Sequence, residues 1–392
     1  MYRNSGQQND KIILWGAPHS FWTGRMRSYL IKKGIDFQEI YPANPRYNED
    51  IVPKIGYFVM PVTEFQDGTL IQDGTDTMVY TEERFTDRSM IPSSPLQRAV
   101  AWLIEFFGCE LFFIPGMHYR WSFPEQRPYV DAEFARMVSP RRDLEGQQAD
   151  IADITAWASG FTQSIGVSPA TIPAIESSHI ESLTLLNAHF QHHPYILGGH
   201  PSIADFGLMA PFHAHLGRDP VPANLMKNIA PHVYRWTERM LEPGIIDGEF
   251  ADYRAEFAED GSILDTLIPF IGYLFRDCGA QVQGMVEMFD AWATRDPRPG
   301  PGTLVKADPD GTGGAHPNLG EFEFNLRGTT VKTQAFANVV RHFQRLLDVV
   351  ASLDDADRTK FEALMARTGG TDLMSTKMER RIKSEYYQLL LA

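Results

Sequence analysis

Up to about residue 90 the chain mixes short apolar runs with amphipathic stretches; beyond it, apolar positions recur three and four apart. Lys11 to Trp15 reads KIILW, a run of the length of a buried strand. Gly16, Ala17 and Pro18 punctuate it. Phe21 to Lys33 predicts a helix with Met26, Tyr29 and Leu30 on one face, and Gly34 supplies its stop. Phe37 to Tyr41 predicts a second strand. Val62 to Phe65 and Thr69 to Gln72 flank Asp67-Gly68, a strong hairpin signal. Thr75 to Phe85 predicts another helix. The expected order is therefore strand, helix, strand, short helix, hairpin, helix.

Pro92-Ser93-Ser94-Pro95 breaks this pattern and reads as a linker. Beyond it the strand signals stop. Leu96, Val100, Leu103, Phe107 and Leu111 fall at helical spacing, as do Ile151, Ile154 and Ala158, and then Leu183, Leu186 and Phe190. In Ser202-Ile203-Ala204-Asp205 the Ser is a good N-cap, and Asp205 can reach back to the N–H of the cap. The following helix, Phe206 to Leu216, is apolar on most sides and predicts a core position, with Pro211 bending it or standing where a hydrogen bond is spared.

From about Pro243 the character changes again. Asp265 to Ala293 predicts one or two helices, and Asp296 to Asn318 is a long Pro-, Gly- and Asp-rich loop. Phe322, Phe324 and Leu326 alternate before Arg327-Gly328, and Val331 follows, the pattern of a lone hairpin. Phe336, Val339, Val340, Phe343, Leu347 and Val350 make an amphipathic helix. No internal repeat or low-complexity run is present.

The 392 residues are too many for one small core and suggest two or three domains. The net charge of -14, without any concentration of Lys and Arg, argues against nucleic-acid binding. The polar N-terminus lacks the features of a signal or transit peptide, and no uninterrupted apolar stretch is long enough to span a membrane. A cytoplasmic protein is expected. Cys109 and Cys278 do not make a disulfide framework, and their apolar, helix-like surroundings predict buried free thiols. There is no Cys-x-x-Cys, so thioredoxin-type redox chemistry is disfavoured. His192-His193 and His213-x-His215 lack carboxylate or cysteine partners at zinc spacing, so no metal is expected.

Three stretches carry a resemblance: ILWGAPHSFWTGRMRSYLIKKGI at Ile13 to Ile35, MPV at Met60 to Val62, and LIQDGTDTMVYTEERF at Leu70 to Phe85. They resemble the N-terminal, thioredoxin-like domain of glutathione S-transferases of the serine/cysteine type. SIAD with its apolar helix, and PHVYRWTERM at Pro231 to Met240, are similar to parts of that family's helical domain. The resemblance implies a thioredoxin-like domain over residues 10–90 and an all-helical domain over 96–242. It leaves 243–392 as an extension that caps the site, enlarges a dimer interface or presents a separate partner surface.

The resemblance also implies glutathione as co-substrate, an apolar electrophile as the second substrate, and a homodimer. Ser20 stands where the thiol-activating residue is kept, and His19 and Thr23 are the next candidates. Trp15 lies near the position of the tyrosine-type members' tyrosine and has no hydroxyl. Met60-Pro61 matches the family's cis-proline pair, whose exposed backbone pairs with the peptide. Gln72-Asp73-Gly74-Thr75-Asp76 matches the acidic-then-serine motif that binds the γ-glutamyl end: Asp73 fills the acidic place, and Gly74 lacks the usual hydroxyl, leaving Thr75 or the Gly74 N–H to serve. For the electrophile pocket, Phe21, Trp22, Trp102, Phe106 and Tyr119 are the candidates, with Phe113, His118, Arg120 and Trp121 nearby. The alternative is a relative that keeps the fold without the chemistry.

Overall fold

The computed structural model describes residues 11–141, 143–307 and 316–392. Residue 10 and part of the 296–318 loop lie outside the described residues. The chain opens with β1 (Ile12–Trp15), α1 (Phe21–Lys33) and β2 (Phe37–Ile40). After a π-helical turn at Tyr47–Ile51 come α2 (Val52–Ile55), β3 (Val62–Glu64), β4 (Leu70–Gln72) and α3 (Gly74–Arg84). The strands form one sheet in the order β2-β1-β3-β4, with β1 parallel to β2 and antiparallel to β3. The element order is the one the pattern predicts, and the sheet is the thioredoxin-like one the resemblance implies. All of β1 is buried, which explains its uninterrupted apolar run. Gly68, at φ +86°, makes the hairpin turn between β3 and β4.

Local signals set the helix ends nearby. Ser20 caps α1, and Gly34 closes it in the left-handed conformation behind Lys32 and Lys33.

The helical part holds α4 (Pro95–Phe106), a π-helical turn at Phe107–Leu111, α5 (Phe113–Trp121), α6 (Arg127–Val138), α7 (Leu144–Ser164), α8 (Ile172–Phe190), α9 (Ile203–Ala214), α10 (Pro220–Ile229) and α11 (Pro231–Arg239). The extra residue in the π-helical turn rotates the following face of the helix, and Cys109 and Glu110 meet the cavity described below. The Ser202/Asp205 capping box is formed. Asp205 also accepts from the N–H of Ile196 and from the Trp236 indole, so one carboxylate ties α9 to a loop and to α11.

Buried throughout, α9 crosses α4 at near-backbone contact. A Cβ on Gly207 would stand 2.5 Å from the Glu105 Cα. Gly207→Ala is therefore expected to force the helices apart and lower stability by about 1–3 kcal/mol in chemical denaturation. The segment Pro95–Trp121 is long and apolar enough to cross a bilayer, yet 83% of its most apolar window is buried inside the fold, as in a core helix.

The extension contains α12 (Ile268–Thr294), β5 (Asn318–Leu326), β6 (Thr329–Phe336), α13 (Ala337–Ala351), α14 (Asp355–Thr368), α15 (Thr371–Met374), β7 (Ile382–Glu385) and β8 (Gln388–Leu391). The first hairpin turns at Arg327-Gly328 and the second at Tyr386-Tyr387, each pair with positive φ. One apolar core runs from Leu14 through Phe106, Phe289 and Phe343 to Leu391. The extension is thus built into the rest of the molecule. Both α13 and α14 pack on α4, and Tyr387 donates from its hydroxyl to the Leu70 carbonyl of β4.

Candidate functional site

Where the thioredoxin-like domain, the helical part and the extension meet, there is a cavity of about 220 Å³. Helix α1 serves both sides of it. Ser20 at its start, Phe21 and Trp22 in its first turn, and Arg25 one turn on all line the space. The Ser20 Oγ accepts a long bond of 3.4 Å from the Thr23 N–H. Its own proton has no acceptor among the described residues. A hydroxyl so placed, at a helix N-terminus, is able to donate to an anion.

His19 lines the same cavity, but its ring is buried against Phe134 and its carbonyl accepts from Arg120. Burial, reinforced by Arg120, pushes its imidazole well below the ordinary histidine range, so it is neutral. Met60 and Pro61 also line the cavity, joined by a cis peptide bond. The side chain of Thr23 is fully buried.

Asp73 begins α3 at φ 96°, a strained conformation for a residue with a Cβ. Its Oδ1 accepts from the N–H groups of Thr75 (2.8 Å) and Asp76 (3.0 Å). Its Oδ2 accepts from Arg341 Nη2 (2.7 Å) and meets His342 Nε2 at 2.9 Å, both from α13. Burial would raise this carboxyl, but His342, Arg341 and Arg345 overcome it and hold it well below the usual carboxylate range. Arg341 and Arg345 also bind Asp76.

Thr75 cannot replace the hydroxyl missing at Gly74, because its one proton goes to Glu105 Oε1 at 2.9 Å. The Gly74 N–H remains. As the first residue of α3, it has no intrahelical acceptor. Behind it, Arg25 donates to Thr75 and Glu105, and contacts the Cys109 sulfur. Burial pushes the Cys109 thiol well up, so it is held protonated.

The other side of the cavity is aromatic. Trp22 stacks on Phe113, and Phe21 meets Phe113 edge-on. The ring of His316 contacts Trp22, Phe161 and Phe336. Trp157 sits on the rim, 66% exposed, stacked on Phe161. Phe113, Arg120 and Trp121 line the space as well.

Three of the expected pocket aromatics do not line it. Trp102 lies under Arg345, Phe106 packs against Phe107 and Phe343, and Tyr119 stacks on Phe123. The physical reason is the extension: α13 covers the face of α4 that carries Trp102 and Phe106, so those rings become core. His118, buried and bonded to Ser122 and Glu176, is also outside the cavity lining.

Sequence reasoning missed Arg25, Glu110, Phe134, Trp157, Phe161, His316, Phe336, Asn338 and His342. One signal was present: Glu105 and Glu110 are the only acids in the apolar run from Ala99 to Met117. Charged residues on an otherwise apolar helix are rarely buried without a reason. Among the described residues no group of three or more His, Cys, Asp or Glu is arranged to hold a metal.

The architecture is a thioredoxin-like domain followed by helices. Similar solved structures include glutathione S-transferases of several classes. The β-etherase LigF from Sphingobium sp. strain SYK-6 is 16% identical, covering 59% of this chain and 94% of that one, with a TM-score of 0.43. A glutathione transferase from Phanerochaete chrysosporium is 15% identical, covering 61% and 99%, with a TM-score of 0.42. An epsilon-class glutathione S-transferase from housefly, Musca domestica, is 20% identical, covering 58% and 86%, with a TM-score of 0.36. No protein-family model and no curated protein sequence matches the chain.

Proposed function

We propose that this protein is a cytoplasmic glutathione-dependent transferase in which Ser20 stabilises the thiolate of glutathione and an apolar electrophile occupies the aromatic side of the cavity. The observation that supports it most is the Ser20 hydroxyl, its proton without an acceptor among the described residues, at the start of a helix and in one cavity with Met60, Pro61 and the Asp73-Gly74 turn. Donation from Ser20 favours the anion and lowers the thiol pKa. The sulfur then attacks the electrophilic carbon; the carbon–sulfur bond forms as the leaving group departs with its electron pair. Phe21, Trp22 and the rings around them orient the electrophile and exclude water.

Calorimetric titration of reduced glutathione into the full-length protein tests this reading. Saturable binding in the micromolar to low millimolar range is expected, and no binding to the folded protein would refute it. Asp73→Asn is the informative variant, since Asp73 also caps α3 and anchors α13. Its stability is expected to fall, and its glutathione affinity to fall only through displacement of the Gly74 turn that Asp73 holds in place.

A second reading, a fold-keeping protein without the chemistry, draws on one observation: the Asp73 carboxylate is already taken up by Arg341 and His342. Calorimetry separates the two. A homodimer is part of the proposal from resemblance. It would have to avoid α4, which the chain's own α9, α13 and α14 enclose.

A further inference from the structure

At the polar end of the cavity the charges do not balance. The carboxylates of Asp73, Asp76, Glu105 and Glu110 face the guanidinium groups of Arg25, Arg341 and Arg345. Three of the four acids are matched. An ionised carboxylate offers about four acceptor positions. Asp73 uses them on two backbone N–H groups, Arg341 and His342. Asp76 is bound by Arg341 and Arg345, and Glu105 by Arg25 and Thr75.

Glu110 is the exception. Its side chain is nine-tenths buried and lines the cavity, and the basic nitrogen that approaches it is His342 Nε2 at 4.0 Å, beyond hydrogen-bond reach. No donor reaches its carboxylate among the described residues. A buried acid without a donor is costly unless a ligand supplies the cation.

We infer that Glu110 is a ligand-binding residue that receives the α-ammonium of the γ-glutamyl end of glutathione. This inference rests on the transferase reading and extends it. Asp73, the position that resemblance assigns to that end, has no acceptor capacity left for an ammonium, whereas no described residue takes up that of Glu110. The α-carboxylate of the same amino-acid end meets the Gly74 N–H beside it. The subsite is thus assembled from three parts of the chain: Gly74 from the thioredoxin-like domain, Glu110 from the π-helical turn after α4, and His342 from the extension. The part of His342 is positional, since it holds Asp73 and leaves Glu110 open.

The burial of Glu110 raises its carboxyl from the ordinary range, against the effect of His342 and helped by Asp73. An incoming ammonium offsets this cost and is bound in a low-dielectric site.

The test is calorimetry with two ligands and two proteins: reduced glutathione and N-acetylglutathione, which lacks the ammonium, against the wild-type chain and Glu110→Gln. Wild type is expected to bind glutathione about 10- to 100-fold more tightly than the acetylated form, the worth of a hydrogen bond to a charged group. Glu110→Gln is expected to lose that preference, binding both ligands with the weaker affinity. Its melting temperature is expected to equal or exceed that of wild type, because an uncompensated buried charge is removed. The comparison of ligands on wild type requires no variant, so it stands even if Glu110→Gln does not fold. Equal binding of both ligands by wild type, or an unchanged preference in Glu110→Gln, would overturn the inference and leave the transferase reading intact. Failure of wild type to bind glutathione at all would remove both.

Discussion

Arg341→Ala is expected to destabilise the protein by about 3–5 kcal/mol, the cost of removing the guanidinium from its largely buried ion pair with Asp73. Arg341 is 9% exposed and bridges Asp73 and Asp76, while its own helix, α13, packs on α4 and carries Phe343 into the core. The loss is therefore local as well as global. Hydrogen exchange is expected to rise first in α13 and the N-terminal turn of α3, and chemical denaturation gives the total.

The pH dependence follows from Asp73. Its folded-state pKa is depressed, so its stabilising contribution is fully present above the unfolded value of about 3.9 and is lost as pH falls through the folded one. Much of the difference between wild type and Arg341→Ala is expected to vanish at low pH, because protonated Asp73 no longer requires the guanidinium. Glu110 behaves oppositely. Its folded-state pKa is raised, so its charged form opposes folding at neutral pH and protonation relieves that opposition. A stability difference that stayed constant down to about pH 2, below the unfolded value, would show that the Asp73 ion pair is not what α13 contributes.

Ser20→Ala is expected to reduce kcat/KM for glutathione conjugation roughly 100-fold near neutral pH, with little change in the dissociation constant for glutathione. In the proposed reading the hydroxyl would interact with the thiolate and not with the rest of the peptide, so its removal would act on the ionised fraction. The rate profile is expected to shift to higher pH by about one to two units, and the deficit narrows in alkaline solution. The cap contribution of Ser20 is weak at 3.4 Å, so the variant is expected to lose no more than about 1 kcal/mol of stability. Equal loss at all pH values, or a fall in glutathione affinity without any fall in turnover, would assign Ser20 a structural role only. Stopped-flow titration of the bound thiol, read by thiolate absorbance, makes the distinction directly.

Much of the thioredoxin-like domain was legible because its signals are local. The KIILW run, the Gly34 stop and the Asp67-Gly68 turn each act over a few residues, and the observed elements agree with them, while the Met60-Pro61 pair was legible through the resemblance. The hairpin at Arg327-Gly328 and the helix from Phe336 were legible for the same reason. The hairpin at Tyr386-Tyr387 was not. Its turn has no glycine, asparagine or aspartate, and its left-handed residues are held by the contact of Tyr387 with Tyr57 and Leu70.

The sequence by itself determined which segments are strands and helices in the first domain, where Ser20 caps α1, and that Asp73 and Gly74 stand together at the start of α3. Periodicity, caps and turns operate within about one turn of chain, so a single sequence displays them. Only the tertiary structure decided what surrounds those residues. It brought Arg341 and His342 onto Asp73 across 268 and 269 positions of chain, turned Trp102 and Phe106 from pocket to core, and left Glu110 beside the cavity with no hydrogen-bond donor among the described residues. Such pairings depend on which helix faces meet. A charge on an amphipathic helix reads the same whether it faces water, an ion pair or a ligand, and only packing separates these cases.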